Sequence, residues 1–463
     1  MIEYDTIVIG SGAGMNVASK ASRDGMKVAV IDRDPIGGTC LNRGCIPSKV
    51  MIHPADIIKT VQEAEKIGLY ATIEGIDFDR LMKRTWKIVL EDRHAMEESV
   101  KRDPNVDFYN QIAEFVSDYT LKVGTKTITA PKIVIASGAR PSIPPIKGLG
   151  EVGFLTNRNI FDIKEPPESL LIVGGGYIAV EFAHFFSSAG TKVTVIGRNP
   201  KLVPEEEPLI SELLKLRLSK YVRIYTHHEV TSASMEGDEK ALIAKNLADE
   251  KHYKFKGKEV LVAAGRMSNS DLLKPENTGV MTDEKGWIRV DKFLMTTKPN
   301  IYALGDATGK FQFRHTANYE SEVVWANLFK NRRKIVDEHA VPHAIFTHPQ
   351  IGAVGLREAE AKENHEILVG IKRYIDTVKG YAMGEEDGVA KVIVDAGSKR
   401  ILGAHIIGPE AADLVQLVVD LMNAERGDFL PLTRTQVIHP ALSEVVIGAF
   451  ANLAPVGPHH HHH

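Results

Sequence analysis

The first hydrophobic run is short and rich in β-branched residues. Asp5-Thr6-Ile7-Val8-Ile9 reads as a buried strand that leads directly into Gly10-Ser11-Gly12-Ala13-Gly14. A helical stretch follows to about Arg23, and Lys27-Val28-Ala29-Val30-Ile31 predicts the next strand, closed by Asp32. This is a βαβ unit with a glycine-rich first turn. Glycines let the backbone approach a pyrophosphate, and the helix N-terminus offers unpaired N–H groups and a positive dipole end. Asp32 falls where an acid can bond a ribose hydroxyl. The pattern returns with the strand Leu170-Leu171-Ile172-Val173, the turn Gly174-Gly175-Gly176, a helix to about Ser188 and the strand Lys192-Val193-Thr194-Val195-Ile196. Two such units imply two dinucleotide sites.

The repeats differ where they would meet the ribose. Asp32 of the first unit aligns with Gly197 of the second, and Arg198 follows, with Lys201 nearby. An acid would repel a 2′-phosphate, whereas a guanidinium can bind one bidentately. The second site is therefore expected to favour NADP(H) over NAD(H). Met15 and Ala179 occupy the third glycine positions, where close helix–strand packing is usual. Methionine there predicts slightly looser packing. From about Pro342 the pattern changes to short strands, Ile351–Val354, Val389–Val394 and Ile401–His405, and a helical stretch from Ala411 to Asn423. This predicts a separate α+β domain.

At 463 residues the chain exceeds one hydrophobic core, so two to four domains are expected. A net charge of -3 provides no global field for nucleic acid or an anionic membrane. The run Lys330-Asn331-Arg332-Arg333-Lys334 reads as a solvated helix end. No basic leader opens the sequence and no segment is long enough to span a bilayer, so neither a signal peptide nor a membrane partner is expected, and a cytoplasmic location is. The closing histidines after Gly457-Pro458 look like a purification tag and are set aside from any metal argument.

The two cysteines, Cys40 and Cys45, sit five positions apart. A zinc site usually takes four ligands, and no CxxC or HxxxH accompanies the pair, so no metal is expected. A redox pair is the leading reading. The thiols can face one another across about one helical turn after Gly37-Gly38-Thr39, a helix start. A helix N-terminus favours thiolate, the form that attacks disulfides. Lys49, four residues beyond Cys45, can share its face and stabilise that charge.

The stretch GGTCLNRGCIPSK, with KIVIASGAR, GYIAVE, LVAAGRMSN, TTKPNIYALGDATG and HPALSEVV in that order, resembles the pyridine-nucleotide–disulfide oxidoreductases with a C-x4-C centre. The likeness runs to about Val456 and is greatest to mycothione reductases and dihydrolipoamide dehydrogenases. It implies an α/β fold with two Rossmann-like domains, for FAD and NAD(P), and a C-terminal α+β dimerisation domain. The implied division is an FAD-binding segment at 1–148, the NAD(P) domain at 149–265, a second FAD-binding or central segment at 266–338, the dimerisation domain at 339–456, and a linker with the tag at 457–463.

The resemblance assigns Cys40 as the interchange thiol and Cys45 as the thiol against the flavin. It places Tyr177 over the flavin, pairs Glu181 with Lys49, and sets Asp306 on the ribityl chain. Cofactor contacts are expected from Gly10, Gly12, Gly14, Asp32, Gly38, Thr39, Lys49, Gly138, Gly174, Gly176, Tyr177, Glu181, Arg198, Gly265 and Asp306. Ser268 replaces a proline common in relatives. In HPALSEVV, Glu444 can fix the tautomer of His439 and raise its basicity, making a general acid–base. The family contributes that dyad from the partner subunit of a homodimer. His348, before Pro349, is read as structural. The expected activity is NADPH-driven reduction of a small disulfide through Cys40 and Cys45. The alternative is NAD-linked oxidation of a dithiol such as dihydrolipoamide. A mercuric-type reductase would need further cysteines near the C-terminus, and a non-catalytic nucleotide-binding protein would not need the thiols and the dyad together.

Overall fold

The computed structural model describes residues 1–456; the linker and tag lie outside them. Thr6–Ile9, every residue buried, is the middle strand of a five-stranded parallel sheet ordered Ile301–Ala303, Ile133–Ile135, Thr6–Ile9, Val28–Ile31, Val106–Tyr109. Strands buried on both faces read as continuous apolar runs, which is why this one carried no alternation. Ile7, Val8 and Val28 are fully buried, each worth about 1.5–3 kcal/mol relative to exposure. The strand Ile301–Ala303 lies far along the sequence but joins this sheet beside Ile133–Ile135, so the chain leaves the first unit and returns to it.

The second unit is a four-stranded parallel sheet ordered Arg223–Tyr225, Lys192–Ile196, Ser169–Val173, Glu259–Val262. A three-stranded antiparallel meander, His228–Glu236, Glu239–Asn246 and His252–Gly257, packs on it. The C-terminal part is a six-stranded sheet covered by helices Ala411–Met422 and Ser443–Ala451, with Val392, Val418 and Val446 at 0% exposure in its core. Among the described residues no helix is long and apolar enough to cross a membrane.

Two sequence expectations change in detail. The close helix–strand approach falls on Gly14, where a Cβ would stand 2.7 Å from Val8 Cγ1, so half-buried Met15 does not loosen the packing. The cysteines do not share one helix. Gly44 ends a short helix, Gly38–Arg43, and an 18-residue helix begins at Cys45 and runs to Gln62. A side chain at Gly44 would meet the Thr39 carbonyl oxygen at 2.9 Å, so the break requires glycine.

Candidate active site

A cleft of about 540 Å³ opens where the two glycine-rich units meet. Gly10 and Gly12 line it from the first unit, Gly138 from the turn after strand Ile133–Ile135, Asp306 from the returning segment, and Tyr177 and Glu181 from the second unit's helix. Gly10 has φ +109, and a Cβ there would stand 2.0 Å from the Ala136 carbonyl oxygen, so no other residue fits. Gly38 has φ +67 and packs on Gly12, its Cβ position lying 2.7 Å from Gly12 Cα. Asn42 pins the approach to the cysteines. Its amide donates to the carbonyls of Ile36 and Gly38 at 3.0 Å, and its oxygen accepts from Arg93 Nε at 2.9 Å.

Cys40 and Cys45 both face the cleft as thiols. The neighbouring Cys40 thiol and then the Lys49 ammonium bring the Cys45 thiol down to about 7, against the opposing effect of partial desolvation. Cys45 is also the first residue of the long helix, where the dipole favours the anion. The Cys40 thiol is pushed up, first by its interaction with Cys45 and then by burial, with Arg314 opposing. Lys49 pairs with Glu181 at 2.8 Å, and the second oxygen of Glu181 accepts from Phe346 N–H at 3.0 Å. Lys49 also lies 4.6 Å from the Phe346 ring centre. Desolvation within the cleft raises the Tyr177 hydroxyl to about 12. Asp306 is raised by burial and opposed by Arg266, 3.3 Å away.

Asp32 borders the cleft, and Ser11 engages it through N–H at 2.8 Å and hydroxyl at 2.6 Å. Thr39 borders the cleft with Gly38. In the second unit Gly174, φ +129, repeats the Gly10 geometry, with a Cβ position 2.2 Å from the Ala263 carbonyl oxygen. Nothing crowds Gly176, Gly138 or Gly265 within 4 Å of a Cβ position. Arg198 is exposed beside Glu229, outside the cleft.

His439 Nδ1 lies 2.9 Å from Glu444 Oε1, and Ala441 N–H donates to the other oxygen at 3.0 Å. The hydrogen bond to His439 lowers the Glu444 carboxyl. Neither residue lines the cleft of its own chain, and the His439 side chain is 66% exposed. His348 packs instead on His184 and lies 3.6 Å from Glu63. Among the described residues, no group of three or more potential ligands is placed to hold a metal.

Arg314, Phe346 and Arg266 also line the cleft, and sequence reasoning assigned none of them a role. Arg266 lies within the motif LVAAGRMSN, whereas Arg314 and Phe346 reach the cleft from segments distant in the chain.

The model of the pyridine nucleotide-disulphide oxidoreductases matches residues 4–321, and the dimerisation domain of the same family matches 341–449. The chain belongs to this family. Its members are FAD-dependent and use a pyridine nucleotide, so the chain is an FAD-dependent oxidoreductase of the disulfide reductase type. Mycothione reductase of Mycobacterium tuberculosis is 35% identical over 98% of this chain and 100% of its own length. Dihydrolipoyl dehydrogenase of Chlamydia muridarum is 32% identical over 96% of this chain and 95% of its own. Among solved structures, the HOCl-induced flavoprotein disulfide reductase RclA from Escherichia coli superposes with a TM-score of 0.86 at 30% identity, covering 96% of this chain and 99% of that one.

The cleft fits the family's flavin. Its lining side chain Ser137 carries a buried hydroxyl oxygen, Oγ, without a hydrogen-bond partner, as expected where a polar ligand completes the bonding. The Gly10–Gly12 turn, packed against Gly38, leaves room only for backbone beside a phosphate chain.

Proposed function

We propose that the chain reduces a low-molecular-weight disulfide through Cys40 and Cys45, with NADPH favoured over NADH, in the manner of a mycothione reductase. The observation that carries this reading is the pair of thiols facing one cleft, with unequal acidities and with Lys49 and Glu181 behind them.

The residues divide the work by their chemistry. Gly10, Gly12, Gly14, Gly38 and Thr39 would hold the diphosphate of FAD, Asp32 its ribose and Asp306 its ribityl chain. Gly138 would keep the adjoining turn clear, and Gly174, Gly176 and Gly265 would do the same for the nicotinamide coenzyme. When bound, flavin and nicotinamide supply the electron pair. Tyr177 covers the nicotinamide side of the cleft. Lys49, held by Glu181, keeps Cys45 anionic once the pair is open.

Cys40 must be a thiolate to attack, and the nearby Cys45 and burial both oppose its ionisation. That requirement is met by a base outside its own cleft. His439, oriented by Glu444, is such a base if a second copy brings it there, which the dimerisation domain makes possible. Cys40 sulfur then bonds to one substrate sulfur as the substrate S–S bond breaks. His439 returns the proton to the departing thiolate; the Cys45 thiolate then attacks the Cys40 sulfur, forming the Cys40–Cys45 bond as the second thiolate leaves and takes a proton from solvent. The resolving step suits Cys45, whose thiol is lowered to about 7. Arg198 is the group expected to meet the 2′-phosphate of NADPH.

Steady-state kinetics with NADPH and with NADH, each against mycothione disulfide, glutathione disulfide, cystine and lipoamide, test the reading. Faster turnover of a non-lipoyl disulfide with NADPH supports it. Preferential NAD-linked oxidation of dihydrolipoamide would replace it with the dehydrogenase reading, to which the chlamydial relatives belong. Cys45→Ser should retain flavin yet lose at least about a thousandfold in disulfide turnover. Full activity in that variant would discard the scheme.

A further inference from the structure

The strand Lys192–Ile196 delivers Gly197-Arg198-Asn199 to the edge where a ribose of the second dinucleotide would stand. The start of strand His228–Glu236 runs alongside this loop. His227 N–H donates to the Asn199 carbonyl at 2.8 Å, and His228 N–H to the Gly197 carbonyl at 2.9 Å. That backbone pairing brings the carboxylate of Glu229 beside Arg198, with Oε1 3.8 Å from Nη1. The side chains are 71% and 46% exposed, and an exposed pair at this separation holds little net energy. Neither residue is locked to the other. The neighbouring cations are engaged elsewhere: Lys201 faces Glu212, and Lys245, the cross-strand partner of Glu229, holds Glu250.

We propose that Glu229 sets how far the chain discriminates between NADPH and NADH, supplying from the adjacent strand the acid that is missing at Gly197. The inference rests on the reading that Arg198 receives the 2′-phosphate. Arg198 attracts a phosphate dianion, while Glu229 repels it and partly neutralises the guanidinium. Toward a free 2′-hydroxyl the same carboxylate is a hydrogen-bond acceptor. The two side chains therefore pull in opposite directions, and selectivity becomes a graded difference between them rather than an absolute choice.

Two variants of the FAD-loaded dimer, Glu229→Gln and Arg198→Met, separate this inference from the reading beneath it. Both positions are exposed, where substitutions disturb folding little. Ferricyanide serves as electron acceptor, so that the disulfide substrate does not enter. Calorimetric titration with 2′,5′-ADP and with 5′-AMP isolates the discriminating phosphate. Glu229→Gln should raise the NADPH:NADH ratio of kcat/KM by roughly three- to tenfold, through KM, and tighten 2′,5′-ADP by a similar factor. Arg198→Met should lower both by about tenfold or more. A ratio within twofold of the unmodified chain in Glu229→Gln, with Arg198→Met lowered as expected, overturns the inference and leaves the reading intact. An unchanged ratio in Arg198→Met removes the reading itself, and the inference with it.

Discussion

The two glycine-rich turns share a backbone and differ in charge. Gly10 and Gly174 both take a left-handed φ, and a Cβ at either would strike a carbonyl oxygen of the neighbouring strand end, 2.0 Å away at Ala136 and 2.2 Å at Ala263. Those glycines are required by geometry alone. The residues at the far ends of the following strands obey a different rule. Asp32 fills the first such position and is held by Ser11, while Gly197 fills the second. A Cβ at Gly197 would sit 3.5 Å from Gly175 Cα, an ordinary contact, so the backbone does not forbid an acid there. The missing carboxylate is a chemical difference, and it bears on which dinucleotide the second unit takes. Sterics make the two turns alike, and electrostatics at the strand ends can make them select different ligands.

The largest effect expected from this comparison comes from the turn glycines. Gly10→Ala should yield protein that does not retain flavin, whereas Gly174→Ala should yield yellow protein that NAD(P)H reduces slowly or not at all. Absorbance of the purified variants and anaerobic NADPH addition distinguish the two. Flavin lost from Gly174→Ala and kept in Gly10→Ala would reverse the assignment of the two units.

Next in size is the dyad, which the proposed mechanism brings from a second copy. His439→Gln should lower disulfide turnover by roughly 10²–10⁴-fold. Co-expression with Cys45→Ser should restore activity in the hybrid dimer, because one of its two sites then combines an intact thiol pair with an intact His439. No recovery in isolated hybrids would place the dyad's work within a single chain.

A smaller effect belongs to Lys49, which reaches from the first unit to Glu181 in the second. The Cys45 thiol is lowered to about 7, so the reduced chain should gain thiolate absorbance as pH rises through that value. Lys49→Met should move the midpoint upward and reduce the thiolate present at neutral pH by up to about tenfold. An unmoved midpoint would show that Lys49 does not hold Cys45 low. The smallest change is expected from Gly197→Asp, which copies the first unit's acid into the second and should shift kcat/KM several-fold toward NADH. A shift toward NADPH would contradict the electrostatic contrast between the units.

Much of this arrangement is legible in sequence because it is local. The strand–turn–helix units, the C-x4-C spacing and the five-residue step from His439 to Glu444 each lie within one short segment. The pairing of Lys49 with Glu181 was readable only through the family resemblance, since 132 positions separate them. Other features have no local signature. Glu229 reaches Arg198 because two strands of different sheets meet, Phe346 reaches Lys49 from the C-terminal part, and the Asp56–His184 contact at 2.7 Å joins two helices packed side by side. The break at Gly44 was hidden for another reason. CLNRGC has no proline, and its helical spacing continues across the glycine, so only the approach of Thr39 reveals that the helix stops.

The account turns on whether the sulfurs of Cys40 and Cys45 take up the electrons that enter from the nicotinamide. Thiol counting during anaerobic titration of the flavin-loaded protein with NADPH tests this most directly. The account predicts no reactive thiols before reductant and two per chain after the first two electrons. A thiol count that stays constant while the protein consumes NADPH would contradict it.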